Sequence, residues 1–175
     1  MGIARFEKVS LSQFAESWKK ISPSLTDEEI KQMYERLHLP QRATIGSAGY
    51  DFFAPMDLCI PAQSEVRIAT GIRAWMDPHY VLMLFPRSGL GFKYRLQLNN
   101  TVGIIDSDYY GAANEGHIMC RLFNDSREGK DLVIPSGEGM LQGVFVPFGI
   151  VDDDAADGVR TGGFGSTTKK ESVNR

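Results

Sequence analysis

The chain has 175 residues, 19 of them Lys or Arg and 22 Asp or Glu, for a net charge of −3. That length suits one domain with a core large enough to need no staples, and the scattered basic residues give no footprint for duplex nucleic acid. No apolar run approaches a membrane span. Met1 to Glu7 lacks a secretory core and cleavage site, and Phe6 stands where myristoylation needs Ser or Thr, so a cytoplasmic protein is expected.

Residues 1–39 read as a helical extension. Leu11 to Trp18 suits a short helix, and Thr26-Asp27-Glu28-Glu29 is a capping box: Thr26 can cap the N3 amide while Glu29 reaches back. Ile30, Met33, Tyr34 and Leu37 then form one apolar stripe until Pro40. These helices read as packing or oligomer-contact elements rather than catalytic ones.

Residues 40–151 read as a β core. Short β-like runs, Glu65 to Trp75, Val81 to Phe85, His117 to Phe123, Leu132 to Ile134 and Met140 to Pro147, are broken by Pro, Gly and Asp. Val66, Ile68, Ile72 and Ala74 keep period two, although Thr70-Gly71 interrupts them. With no strand-helix alternation, an all-β, jelly-roll-like antiparallel core is expected, and a doubly wound nucleotide fold is a poor candidate. Cys59 and Cys120 fall far apart in strand-like segments and read as buried, reduced thiols. His38, His79 and His117 have no ligand spacing, so no zinc site is expected.

Polar clusters sit where these runs end. Gly46-Ser47-Ala48-Gly49-Tyr50-Asp51 precedes the core. Pro86-Arg87-Ser88-Gly89-Leu90-Gly91 follows an apolar strand, so it is either a surface turn or a phosphate cradle with a guanidinium suited to planar contacts. Gly103-Ile104-Ile105-Asp106-Ser107-Asp108-Tyr109-Tyr110-Gly111 reads as a hairpin with two carboxylates beside an aromatic ring: an Asp-rich turn, or a site that orients a water and packs a sugar. Gly137-Glu138-Gly139-Met140-Leu141-Gln142 is another such turn. Residues 152–175 turn acidic and then Gly-rich, and read as a flexible C-terminal arm. Within it Gly162-Gly163-Phe164-Gly165-Ser166-Thr167 offers close backbone approach, hydroxyl donors and a flat ring, which suits a flap over a nucleotide.

In this order, and over residues 40 to the end, the clusters resemble the five motifs of the trimeric dUTP pyrophosphatase (dUTPase) family. Tyr110 to His117 looks like a variant found in phage and Firmicute members. The resemblance implies a homotrimer with active sites shared between subunits. It also implies Mg²⁺-dependent cleavage of dUTP to dUMP and pyrophosphate, which limits uracil incorporation into DNA and supplies dUMP for thymidylate synthesis. By motif position, Asp106 would deprotonate the water attacking the α-phosphorus, and Tyr109 would pack on the deoxyribose and exclude a 2′-hydroxyl. Asn100, Gly103 and Ile105 would read the uracil edge, where cytosine inverts two groups. Arg87, Ser88, Gly89 and Gln142 would hold the triphosphate, and Asp51 would anchor water ligands of the Mg²⁺. Phe164 would stack on uracil while Gly165, Ser166 and Thr167 close on the terminal phosphates.

Two departures stand out. The usual arginine of motif four is missing before Gln142, and in motif five Arg160, whose position implies a phosphate contact, sits one place late. Two other functions remain: a dCTP deaminase of the same fold, against which the Asp106-Ser107-Asp108-Tyr109 cluster and the lack of a matched Glu base there argue, or a nucleotide-dependent module that engages a regulatory protein through the N-terminal helices. Ammonia release would mark the first. Neither the His-x-Glu nor the paired-Cys signature of the zinc deaminases is present.

Overall fold

The computed structural model describes residues 2–158 together with Arg160 and Gly162. The chain opens with a strand that the sequence reading does not assign, β1 (Ala4–Lys8). Helix α1 (Leu11–Ile21) follows, with Ser10 as its N-cap. Helix α2 (Asp27–Glu35) begins at the expected capping box: the Glu29 amide donates to Thr26 Oγ1 at 3.2 Å, and Glu29 Oε2 accepts from the Thr26 amide at 2.7 Å. Leu37 lies past the helix end and is still buried.

Strands β2 (Tyr50–Phe53) and β3 (Leu58–Ile60) come next. The run expected from Glu65 to Trp75 is two strands, β4 (Ser64–Ala69) and β5 (Ile72–Met76). The break is Gly71 at φ 77°, a left-handed conformation that a side chain resists. Strand β6 (Tyr80–Pro86) runs into a short helix, α3 (Ser88–Tyr94), where a simple turn was expected. Then come β7 (Leu96–Leu98) and β8 (Gly103–Ile105), followed by a 3₁₀ turn over Ser107–Gly111 rather than the expected hairpin. Strands β9 (Met119–Asn124), β10 (Leu132–Ile134) and β11 (Gly139–Pro147) complete the core.

Every strand pairing among the described residues is antiparallel, as the period-two runs suggested. The sheets are β1-β5, β10-β3, β2-β11-β6-β8 and β4-β9-β7. One buried cluster joins them, with Phe14 and Trp18 of α1 and Ile30 and Met33 of α2 packed against Phe52, Ile68, Leu82, Leu84 and Leu122. Burial of side chains of this size is worth about 1.5–3 kcal/mol each. Phe6 of β1 is set edge-on to Phe52 at 5.5 Å and to Tyr50 at 5.4 Å, so the first strand covers one end of the large sheet. Both cysteines are unpaired, as expected, but not both buried. Cys59 is exposed because its neighbours Leu58 and Ile60 take the inward positions of β3, and Cys120 is half-buried.

The β4–β5 junction is the tightest point of the interior. A Cβ on Gly71 would stand 2.3 Å from Leu37 Cδ1 and 3.2 Å from the Phe14 ring. The Gly71 amide donates to His117 Nε2 at 2.8 Å, which places the imidazole proton on Nδ1, 3.0 Å from Ser17 Oγ. His117 is fully buried, and burial pushes its pKa from 6.5 down to about 4.

Two outcomes follow from this junction. Gly71→Ala combines a disfavoured φ with a clash and should lower unfolding free energy by roughly 2–4 kcal/mol in denaturant titration. Between pH 6.5 and about 4 the unfolded chain takes up a proton at His117 that the folded chain refuses. The contribution is therefore complete above pH 6.5 and declines as pH falls, by about 3 kcal/mol at most. Unfolding midpoints taken from pH 7 to 5 should show this slope in the wild type and a flatter one in His117→Gln.

Candidate active site

Three places hold the residues singled out in the sequence. The first lies where β2 and β11 meet the end of β6. Gln142 of β11 stands directly across from Asp51 on one side and Phe85 on the other, and its Nε2 donates to the Pro86 carbonyl at 3.3 Å. Arg87 extends over this edge: its Nε is 3.4 Å from Asp51 Oδ1, and its Nη1 donates to the Gly139 carbonyl at 3.3 Å. Two glycines make the room. A Cβ on Gly139 would meet Arg87 Nη1 at 2.4 Å, and one on Gly49 would meet Gln142 Oε1 at 2.7 Å. A hollow of about 380 Å³ lies here, lined by Ser47, Asp51, Arg87, Ser88 and Gln142 among others. Ser88 and Gly89 open α3, and first-turn amides have no partner within a helix. A Cβ on Gly89 would meet nothing within 4 Å, so the backbone there is open to approach.

The second place follows β8. Gly103 pairs with Leu84 and Ile105 with Leu82. A Cβ on Gly103 would stand 3.0 Å from the Leu84 Cβ, so only glycine lets the strand lie this close. Asp106 precedes the 3₁₀ turn with extended backbone, and its carbonyl accepts from the Tyr109 amide at 3.1 Å. The Asp106 and Asp108 side chains are half exposed and share one cation: Arg160 Nη2 is 2.6 Å from Asp106 Oδ2, and Arg160 Nε is 2.9 Å from Asp108 Oδ1. The same guanidinium lies 5.7 Å from the Tyr109 ring centroid. Tyr109 is buried. Its hydroxyl donates to the His117 carbonyl at 2.8 Å and accepts from Asn114 Nδ2 at 2.8 Å. Burial raises the phenol's pKa, while the Asn114 hydrogen bond and the Arg160 charge pull it back.

Asn100 stands at a third place, the exposed connection between β7 and β8, which belong to different sheets. There it lines a hollow of about 520 Å³ with Asn99, Arg67, Met119 and Arg121. Thr101, with φ 69°, turns the chain back between the two strands.

The chain therefore brings Asp51, Arg87, Ser88 and Gln142 together, and Asp106, Tyr109 and Arg160 together, but not the two groups to each other. Register gives the separation. Ile105 faces Leu82 near the start of β6, whereas Arg87 follows its end, and at about 3.3 Å per residue the intervening stretch is roughly 15–20 Å. Phe164, Gly165, Ser166 and Thr167 lie outside the described residues. Sequence reasoning gave Asn114 and His117 no role beneath Tyr109; the polar string Asn114-Glu115-Gly116-His117 in a buried stretch was the available signal. Among the described residues no group of three or more His, Cys, Asp or Glu could hold a metal ion, and no helix is long and apolar enough to cross a membrane.

Comparison with known proteins gives this arrangement its family. The family model that matches is dUTPase, over residues 35–168. A deoxyuridine 5'-triphosphate nucleotidohydrolase of Lactococcus lactis subsp. lactis is 42% identical over 135 residues, spanning 75% of this chain and 88% of that protein. One of Psychrobacter cryohalolentis is 37% identical over 161 residues, spanning 87% and 96%. The crystal structure of a dUTPase from Streptococcus mutans superposes with a TM-score of 0.61 at 35% identity, covering 84% of this chain and 98% of that one. A dUTPase from phage phi11 of S. aureus shares the fold, with a TM-score of 0.62 at 19% identity over 90% of this chain and 97% of that one. The ordered clusters and the sheets that carry them thus have one common origin: the chain belongs to the dUTPase family.

Proposed function

We propose that this protein hydrolyses dUTP to dUMP and pyrophosphate, limiting uracil incorporation into DNA and supplying dUMP for thymidylate synthesis. The reading rests on the half-exposed Asp106 carboxylate beside the buried Tyr109 ring, in a chain of this family. Asp106 accepts the proton of a water that attacks the α-phosphorus. Tyr109 packs against the deoxyribose, and a ring held this tightly leaves no space for a 2′-hydroxyl. Asn100 and the backbone of Gly103 and Ile105 read the uracil edge. Arg87, Ser88, Gly89 and Gln142 hold the triphosphate, with Arg87 matched to paired phosphate oxygens. Arg160, now balancing two carboxylates, is the cation that can turn to the phosphates. Phe164, Gly165, Ser166 and Thr167 cover the bound nucleotide.

A general base works only within hydrogen-bond reach of its water, and Asp106 is far along β6 from Arg87. One copy of the chain cannot offer both to one triphosphate. A homotrimer with sites shared between subunits resolves this, each copy supplying one part. The Asp51 edge fits Mg²⁺ as a substrate-borne ion: one carboxylate, two serine hydroxyls and an amide suit a cation that keeps its waters, and not one chelated by protein. Asp51 would hold that ion through water, and its charge would offset that of the phosphates. Because the substrate and product are nucleotides of the cytoplasm, the protein acts there. The N-terminal helices are built into the core, so they need no separate regulatory protein to account for them, although their outer faces leave space for one.

Pyrophosphate release should occur from dUTP and not from dCTP, dTTP or UTP in the presence of Mg²⁺. Ammonia from dCTP would instead support the deaminase, and dUTP binding without turnover the binding module. Asp106→Asn should bind dUTP normally and lose about 10²–10⁴ in kcat, since the amide is a poor base of similar shape; equal kcat in the two proteins would remove Asp106 from its role. Removing residues from Gly158 onward should lower kcat/KM about tenfold or more while Tm changes little, because the buried cluster of the described residues ends before the arm begins. A large fall in Tm would make the arm structural.

A further inference from the structure

Helix α1 is joined to the loop beneath Tyr109 at two points, neither of which the hydrolytic reading uses. At the first, Glu115 accepts two hydrogen bonds from the N-cap of α1: Oε2 from the Ser10 amide at 2.7 Å and Oε1 from the Ser10 hydroxyl at 2.6 Å. These bonds hold the Glu115 carboxyl below its usual range. At the second, the His117 imidazole meets Ser17 Oγ on the buried side of the same helix.

The backbone between these points is constrained. Glu115 has φ 58°, a conformation that costs a non-glycine residue, and Gly116 follows at φ 69°. A Cβ on Gly116 would stand 2.7 Å from the Tyr109 carbonyl, so the loop presses directly on the 3₁₀ turn. From this loop come two partners of the Tyr109 hydroxyl, the Asn114 amide and the His117 carbonyl. Buried as it is, the hydroxyl depends on these bonds, so the place of the ring depends on where the loop lies. Release of Glu115 from Ser10 would free the strained residue to relax, and these two hydroxyl partners to move with it.

We infer that α1 positions Tyr109, through Ser10–Glu115 and Ser17–His117, and so sets how strictly the site rejects ribonucleotides. The inference rests on the proposed packing of Tyr109 against deoxyribose. Ser10, Ser17, Glu115 and His117 are positioning residues and touch no substrate.

The test compares kcat/KM for UTP with that for dUTP in the full chain, together with Tm. Glu115→Ala, which removes both bonds, should raise the UTP/dUTP ratio about three- to tenfold, and Ser10→Ala, which removes the hydroxyl bond and keeps the amide one, should raise it by less. Glu115→Gln keeps an acceptor for the Ser10 amide and offers an N–H to the hydroxyl, and should restore the ratio. Ile60→Val, in the buried β3–β10 pair, should lower Tm and leave the ratio unchanged. An unaltered ratio in both alanine variants, or an equal rise in Ile60→Val, overturns the inference while dUTP hydrolysis stands. Should Glu115→Ala not fold, Ser10→Ala decides, because it keeps the carboxylate and the amide bond and removes only the hydroxyl contact. Wild-type protein inactive on dUTP would instead sink the functional reading, and this inference with it.

Discussion

The hydrogen bond from the Gly71 amide to His117 Nε2 ties together more of this molecule than its 2.8 Å would suggest. Gly71 takes a left-handed turn that sends β4 into one sheet and β5 into another. The amide exposed by that turn is deep in the interior, where an unpaired donor costs about 1–3 kcal/mol. A neutral imidazole satisfies it and passes its own proton towards Ser17 of α1. Because no side chain grows from Gly71, Phe14 and Leu37 close over it and seal the helices onto the sheets. The same histidine lends its carbonyl to Tyr109. One buried group therefore fixes the sheet switch, the seat of α1 and the aromatic ring of the candidate site.

A second constraint is the length of β6. It pairs with β8 through Leu82, Met83 and Leu84 and with β11 along its whole extent, so the carboxylate-tyrosine group and the arginine-glutamine group are held to one rigid element. A rigid strand keeps such groups from drifting, but it also keeps them apart. Each can be preorganised by its own surroundings: Arg87 by the Gly139 carbonyl and Asp51, Tyr109 by Asn114 and His117. Under the proposed function, groups divided between copies of the chain would make assembly a condition of activity.

Much was legible in the chain itself. The Thr26 capping box, the antiparallel runs and the ordered glycine, arginine and aspartate clusters depend on neighbours within a few residues, and the structure keeps them. The clusters also carried the family. The Thr70-Gly71 interruption of the Glu65–Trp75 run was legible too, but not that the positive φ there sends its halves into different sheets, and the expected hairpin after Ile105 became a 3₁₀ turn. β1 escaped notice because Ala4-Arg5-Phe6-Glu7-Lys8 is too short and polar to stand out; its pairing with β5 makes it a strand.

What the sequence determined by itself was therefore local: where helices start, which residues alternate, and which polar groups follow one another in family order. Tertiary structure alone decided which of those groups meet. Ser17 and His117 are 100 positions apart, Ser10 and Glu115 are 105, and Arg160 reaches Asp106 across 54. Such contacts are set by strand register and by the packing of α1 against the sheets. They depend on closing long loops at the same time, which no window along the chain contains.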